Sequence, residues 1–372
     1  MKLVIFGLSI TSSWGNGHAT LWRGLLAALA RRGHRAVFYE RNASWYAANR
    51  DLLTVPGCEI VLYDDWAEIG ARAAGDLRDA EAAIVTSYCP DGAAACELVA
   101  DEGRGRRLFY DLDTPVTLAA VARGERPPWL PAHGLGDFDL VLSFTGGEAL
   151  DGLRRLLGAR HVLPLYGSVD PAVHRPAAAA PQYRADLSYI GTWAADRQPA
   201  LDRLLVEPAR LLPERRFVIA GAQYPPDFPW AANIWFVRHL PPGEHAAFYA
   251  ASRATLNVTR ADMAALGFCP SGRMFEAAAC GVPLLSDRWA GIETFYRPEQ
   301  EILLVGGSGD TVAALGRSDA ELRRIALAAR ERTLALHTAD RRALELEQAI
   351  DAAVPAVAAV RRLHQGSVRC GA

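Results

Sequence analysis

The order of apolar and polar positions divides the chain into two similar halves. Lys2 to Gly7 (KLVIFG) is a continuous apolar run that stops at glycine, the pattern of a strand buried on both faces. His18 to Arg32 (HATLWRGLLAALARR) then places apolar residues at helical spacing, and Gly33 closes the segment as a C-terminal cap. Strand patterns recur at Arg35 to Tyr39, Glu59 to Tyr63, Ala82 to Thr86, Leu108 to Leu112, Phe138 to Phe144 and Val162 to Tyr166, mostly separated by helix-sized segments. Such βα alternation predicts a parallel sheet covered by helices, one Rossmann-like domain over residues 1–166.

Residues 167–184 (GSVDPAVHRPAAAAPQYR) are rich in proline and alanine and have no apolar period, so a linker is expected there. The alternation restarts in a second Rossmann-like domain over 185–340. Strands are expected at Asp186 to Ile190, Arg216 to Ala220, Ala254 to Val258, Pro283 to Ser286 and Glu301 to Val305. Helices are expected near Pro199 to Leu205, Glu244 to Ala251 and Arg273 to Ala279. Purely helical patterns follow, from Asp319 to about Leu336 and from Arg341 to about Leu363, and the segment 341–372 is expected to pack back on the N-terminal domain. The predicted class is α/β, with two Rossmann-like domains facing a cleft and helices at the C-terminus.

Composition narrows the function. The 372 residues are 51% hydrophobic and 22% charged, enough to bury large cores. Forty Lys plus Arg against 42 Asp plus Glu leave a formal charge of −2, without the basic excess that drives binding to nucleic acid or anionic membranes. Lys2 is the only lysine, which excludes a catalytic lysine, a Schiff base and a Walker-type phosphate lysine. The six cysteines have no C-x-x-C spacing, so neither a zinc nor an iron–sulfur site is indicated. Apolar runs are short and broken by charge; no transmembrane segment or signal peptide is expected, and the chain reads as soluble and cytoplasmic.

Chemistry concentrates at a few strand–helix junctions. Pro270, Ser271 and Gly272 break the chain just before an alanine-rich helix, whose N-terminus offers unpaired N–H groups to a diphosphate. Arg273 lies in that first turn, where a cation is disfavoured unless an anion compensates; it contacts a phosphate or pairs with surface carboxylates. In the first half Gly15, Asn16 and Gly17 form a turn before His18. It is not a dinucleotide fingerprint, because the third glycine would fall at Thr20, and this counts against the rival reading of an NAD-dependent oxidoreductase. His18 has the chemistry of a general base on an acceptor hydroxyl, or is a structural histidine. Asp111 and Asp113 (YDLDTP) end a strand; one of them orients His18 or acts on the acceptor, unless Asp113 merely caps the next helix. Trp14, Trp22, Trp45, Tyr46 and Trp66 are either sugar-stacking rings or core.

Four ordered blocks, SWGNGHAT, YDLDTPVTL, YIGTWAADRQ and the stretch from Leu256 to Val305 (LNVTRADMAALGFCPSGRMFEAAACGVPLLSDRWAGIETFYRPEQEILLV), together resemble a GT-B glycosyltransferase. The resemblance is closest to the CgeB-like (spore-maturation protein) group, and more distant to the family-4 glycosyltransferases. It implies a metal-independent transfer of a sugar, a hexose by preference, from a nucleoside-diphosphate sugar to an acceptor hydroxyl. UDP-sugar would be the co-substrate, and no cofactor would be needed. It further implies that Arg197, Arg260, Ser271, Gly272 and Arg273 hold the diphosphate, that Glu276 accepts from the ribose hydroxyls, and that Glu293 faces the donor sugar. The acceptor, a glycan or small molecule, is not identified. Phe268 stands where family-4 enzymes carry a second glutamate eight residues before the first, so their stereochemical outcome does not carry over. A catalytically degenerate sugar-nucleotide-binding protein is the non-enzymatic alternative.

Overall fold

The computed structural model describes residues 1–353. The strands are β1 (Lys2–Gly7), β2 (Arg35–Arg41), β3 (Cys58–Tyr63), β4 (Ala82–Thr86), β5 (Arg106–Asp111), β6 (Leu140–Ser143) and β7 (Val162–Pro164) in the first half. In the second half they are β8 (Ala185–Ile190), β9 (Phe217–Ala220), β10 (Ile234–Val237), β11 (Ser252–Asn257), β12 (Leu284–Ser286) and β13 (Leu303–Leu304). Six helices shape the site and its scaffold: α1 (His18–Arg31), α2 (Thr114–Ala122), α3 (Pro242–Ala250), α4 (Gly272–Cys280), α5 (Asp319–Leu336) and α6 (Ala339–Ala352).

All ladders are parallel, and two sheets result. The N-terminal sheet runs β3-β2-β1-β4-β5-β6-β7 and the C-terminal sheet β10-β9-β8-β11-β12-β13. In each, the chain builds outward from its first strand and then returns to that strand's other side, so a crevice opens at the strand ends between β1 and β4 and between β8 and β11. β1 and β4 are buried on both faces, as a doubly covered parallel strand must be.

The C-terminal helices differ in destination. α5 carries a Ser318–Glu321 capping box and packs against α4 in the second lobe. α6 begins two residues earlier than the pattern suggested, because the Thr338 hydroxyl accepts from the Arg341 N–H and starts the helix there. Its Ala343, Leu346 and Ile350 join Leu25, Leu26 and Leu29 of α1 in one apolar cluster, so this helix crosses back to the first lobe. The buried Arg342 guanidinium fastens the crossing by donating to the carbonyls of Tyr166 and Leu336. The expected continuation of this helix to Leu363 lies outside the described residues.

Three expectations need adjustment. β10 escaped the pattern: it is a four-residue edge strand whose Trp235 and Phe236 are exposed, so neither a buried run nor an alternation marks it. β7 is shorter than expected because Pro164 cannot donate to the ladder. Residues 167–184 are not a free tether. Val169 bridges to Thr338, and His174 is buried against the second lobe. Among the described residues, no helix is long and apolar enough to cross a membrane.

Candidate active site

The two crevices face each other across one cavity of about 530 Å³, within the range of small-molecule sites. Its C-terminal wall is built around the start of α4. The Ser271 hydroxyl turns away from the helix and donates to Asn257 Oδ1 at 2.7 Å, leaving the first amides of α4 without a side-chain cap. A Cβ built on Gly272 would meet nothing within 4 Å, so these amides open on the cavity.

Three guanidiniums surround that opening. Arg273 donates to Asn257 Oδ1 at 3.2 Å and lies 5.4 Å above the Tyr189 ring. Arg197 donates to the Tyr189 hydroxyl at 3.2 Å and to the Thr192 carbonyl at 2.9 Å, and its Nε is buried without a partner. Arg260 pairs with Asp196 at 3.0 Å, the residue next to Arg197. Tyr189 and Asn257, both beyond the reach of the sequence reading, therefore set the positions of Arg197, Arg273 and Ser271. The signal available was their place at the ends of β8 and β11, the strands flanking the switch point.

Glu276 sits one turn into α4, 7% exposed. Its carboxylate accepts from the Thr20 hydroxyl of α1 at 3.2 Å and lies 3.6 Å from His245 Nδ1 and 3.9 Å from His174 Nε2. Burial opposes its ionisation, but the imidazoles of His174 and His245 and the Thr20 hydroxyl outweigh burial and hold the carboxyl down to about 2. Among the described residues these two histidines and Glu276 are the group whose donor atoms, all within 4.8 Å of one another, approach metal-binding spacing. The His174–His245 contact at 3.3 Å and the His245 contact with the Leu240 carbonyl instead complete a hydrogen-bonded chain.

On the N-terminal wall, the loop from β1 to α1 is moulded around Glu40. This fully buried carboxylate accepts from Ser9, from the amides of Ile10 and Thr11, and from the Thr11 hydroxyl. Asn16 donates its amide N–H groups to the carbonyls of Ser9 and Ser12 and accepts from the His18 amide, so it shapes the loop while also lining the cavity. Gly15 takes φ 62, a conformation that favours glycine, and abuts Gln223 of the other lobe. Gly17 caps α1, which delivers His18 to the cavity.

His18 Nε2 lies 3.9 Å from Asp113 Oδ2. Burial lowers the histidine pKa below its usual 6.5, opposed by the Asp113 charge, so the imidazole is held as the free base near neutral pH. Asp113 occupies the N-cap position of α2 yet makes no capping bond with its side chain, which leaves its carboxylate for the cavity. Asp111 is different: it is fully buried behind the wall. Its Oδ1 accepts from the Asp113 amide at 3.2 Å and the Thr117 hydroxyl at 3.1 Å, and its Oδ2 has no hydrogen-bond partner. Burial pushes this carboxyl up to about 7. Asp111 therefore props the turn that carries Asp113 and does not itself orient His18.

Tyr88 completes this wall and was not anticipated. It follows β4 with φ 64, a strained conformation for a tyrosine costing about 1–3 kcal/mol, and its ring packs against Trp129 at a tilt of 42°, with centroids 4.4 Å apart. It also lies 5.8 Å from the His18 ring, and burial together with Asp113 pushes its phenol well up. Of the aromatic residues noted in the sequence, Tyr46 lines the cavity, Trp22 and Trp66 pack into the first lobe's cores, and Trp45 is exposed. Trp14 does not line the cavity.

One expected feature falls elsewhere. Glu293 is exposed on a short 3-10 turn and does not line the cavity, because the left-handed Gly291 before it turns the segment outward. Phe268, the position of the missing glutamate, is an inter-lobe plug. It packs on Gly146 and Gly147 of the first lobe and Gly291 of the second, and its carbonyl accepts from the Gly146 amide at 3.0 Å.

Two facing parallel-sheet lobes joined by a crossing C-terminal helix define the GT-B fold. Residues 197–348 match the family model described as Glycosyl transferase-like. No curated protein matches the sequence. Among solved structures, the chain is similar to sucrose-phosphate synthase from Thermosynechococcus elongatus, at 16% identity and TM-score 0.68, over 93% of this chain and 97% of that one. It is also similar to Anabaena HepE in complex with UDP-glucose, at 12% identity and TM-score 0.64, over 94% and 99% of the two chains. An alpha-glucosyltransferase in complex with UDP-glucose and DNA containing an abasic site matches at 12% identity and TM-score 0.68, over 94% and 99%.

Proposed function

We propose that this chain is a metal-independent glycosyltransferase, of the CgeB-like group, that moves a sugar from a UDP-sugar to an acceptor hydroxyl. The observation that carries the reading is the union, in one cavity, of the uncapped amides of α4 with Arg197, Arg260 and Arg273, opposite a His18–Asp113 pair. The solved structures of HepE and alpha-glucosyltransferase with UDP or UDP-glucose are consistent with it.

In this reading the diphosphate sits on the start of α4, between the guanidiniums. Glu276 accepts from the ribose, its charge already held in place by Thr20 and two imidazoles. His18 takes the acceptor proton as the acceptor oxygen bonds to the anomeric carbon and the bond from that carbon to the phosphate oxygen breaks. The charge that grows on the departing diphosphate meets amides and guanidiniums oriented beforehand, which lowers the barrier without metal. Glu293 has no part in this. Residues 1–166 supply the acceptor side, residues 185–340 the donor side, and the final helix returns to the first.

Thermal-shift titration with UDP, UDP-glucose and NAD tests the reading, since a ligand that binds only the folded state raises the melting temperature. Stabilisation by the uridine compounds, weakened in Arg273→Ala, is expected. Stabilisation by NAD alone would overturn it.

A further inference from the structure

Resting on that reading, we infer that the acceptor is an uncharged hydroxyl compound with a flat ring, such as an aryl glycoside or a phenol, and not a phosphorylated sugar or a nucleic acid. The argument starts from how charge is divided across the cavity. Every arginine among its lining residues comes from the second lobe. The N-terminal wall contributes Leu8, Leu21, Tyr46, Tyr88, Leu112 and Phe144, and its titratable groups beyond the two phenols are His18, held as the free base, and Asp113.

The arginines across the cavity are not available to a second anion. Arg260 is already shared between Asp196 and the charge of Asp113, and what it has to spare, with the other two, faces the bound diphosphate. An acceptor phosphate would therefore meet Asp113 with no cation left uncommitted, since Arg260 is already engaged by Asp196 and Asp113, and like charges brought together in this way are strongly rejected. DNA, which is bound by the similar alpha-glucosyltransferase, needs a basic track for its backbone that this wall lacks.

What the wall offers is ring-shaped. Tyr88, strained at φ 64, has Trp129 tilted against its ring, with Tyr46 also in the lining, and the His18–Asp113 pair lies beside Tyr88. A side chain kept at such backbone cost, where a glycine would be unstrained, points to a use for the ring. A flat acceptor seated on Tyr88 would bring a hydroxyl, on the ring of a phenol or on the sugar of an aryl glycoside, to His18, and aromatic contact is tolerant of the ring's substitution.

The test uses the full chain saturated with UDP, whose binding is first confirmed by calorimetry. Loss of UDP binding would defeat both the proposed function and this inference, whereas the following outcomes bear on the inference alone. Phenyl β-glucoside, glucose, glucose 6-phosphate and a short DNA duplex are then titrated. Phenyl β-glucoside is expected to bind, and glucose 6-phosphate to bind at least about tenfold more weakly than glucose. Equal or tighter binding of the phosphate ester or the duplex overturns the inference. So does failure of phenyl β-glucoside to bind up to roughly 10 mM, weaker than the usual range of substrate constants. Tyr88→Gly, which removes the ring and the backbone strain together, should weaken phenyl β-glucoside more than it weakens UDP, and Tyr88→Phe should restore it. Equal weakening of both ligands by Tyr88→Gly would assign the ring a structural role and overturn its place as the seat.

Discussion

The two lobes repeat one topology and arm it with opposite chemistry. In the second lobe the junction after β11 leads through a proline, a serine and a glycine into α4, and backbone amides with guanidiniums do the work. In the first lobe the junction after β1 is a long loop, moulded on the buried Glu40, that ends in His18. The first wall is neutral to acidic and aromatic; the second is cationic. The switch point supplies a crevice in both cases, and the loops that fill it decide whether the crevice holds an anion or handles a proton.

The sharpest way to break this contrast is to remove its proton-handling group. His18→Ala should lower kcat by about 10²–10⁴-fold with UDP affinity retained, measured by UDP release and by calorimetry. Arg273→Ala should cut kcat/KM by about 10²–10³-fold, with the acceptor dependence unchanged. Unchanged turnover in a folded Arg273→Ala protein would remove the cationic wall from the mechanism.

The pH dependence sharpens the comparison further. Because burial lowers the His18 pKa, the acid limb of the kcat/KM profile should fall below 6.5. Asp113→Asn, which removes the charge that raises it, should move that limb to still lower pH. In the second lobe, the folded pKa of Glu276 is depressed to about 2 from 4.5, so its contribution is present above 4.5 and is lost as pH falls through 2. Glu276→Gln should cost about 1–3 kcal/mol at pH 7, read from denaturant unfolding. Asp111 has the opposite sign. Its folded pKa, about 7 against 3.8, makes stability fall as pH rises from 3.8 to 7, and Asp111→Asn should flatten that slope. The smallest effect is expected at the exposed Glu293, where alanine should change stability by less than about 0.5 kcal/mol and leave turnover unaltered.

Much of this architecture was legible in the order of residues. Doubly buried parallel strands write themselves as apolar runs, and β1, β4 and β8 stand close to where those runs lie, because burial on both faces leaves no room for polar positions. The proline–serine–glycine break before α4 was equally plain, since a helix start is a local event. The edge strand β10 was not, having no buried face to enforce a pattern.

The site was less legible than the fold. Arg273, Ser271, His18 and Asp113 could be picked out by their positions next to strand ends, but Tyr88, Tyr189, Asn257, His174 and His245 could not. Each owes its importance to a residue distant in the chain: Trp129 behind Tyr88, Arg273 above Tyr189, Ser271 on Asn257, Glu276 beside the two histidines. Local sequence determined the elements, the switch points and the helix start that awaits an anion, because these depend on near neighbours and on periodicity. Only the tertiary structure decided that Asp113 faces His18 while Asp111 is sealed behind it, that Glu293 points to solvent, and that Phe268 plugs the lobe junction. Those outcomes depend on which surfaces are brought together across the lobes, and contacts between distant segments leave no period in the chain to be read.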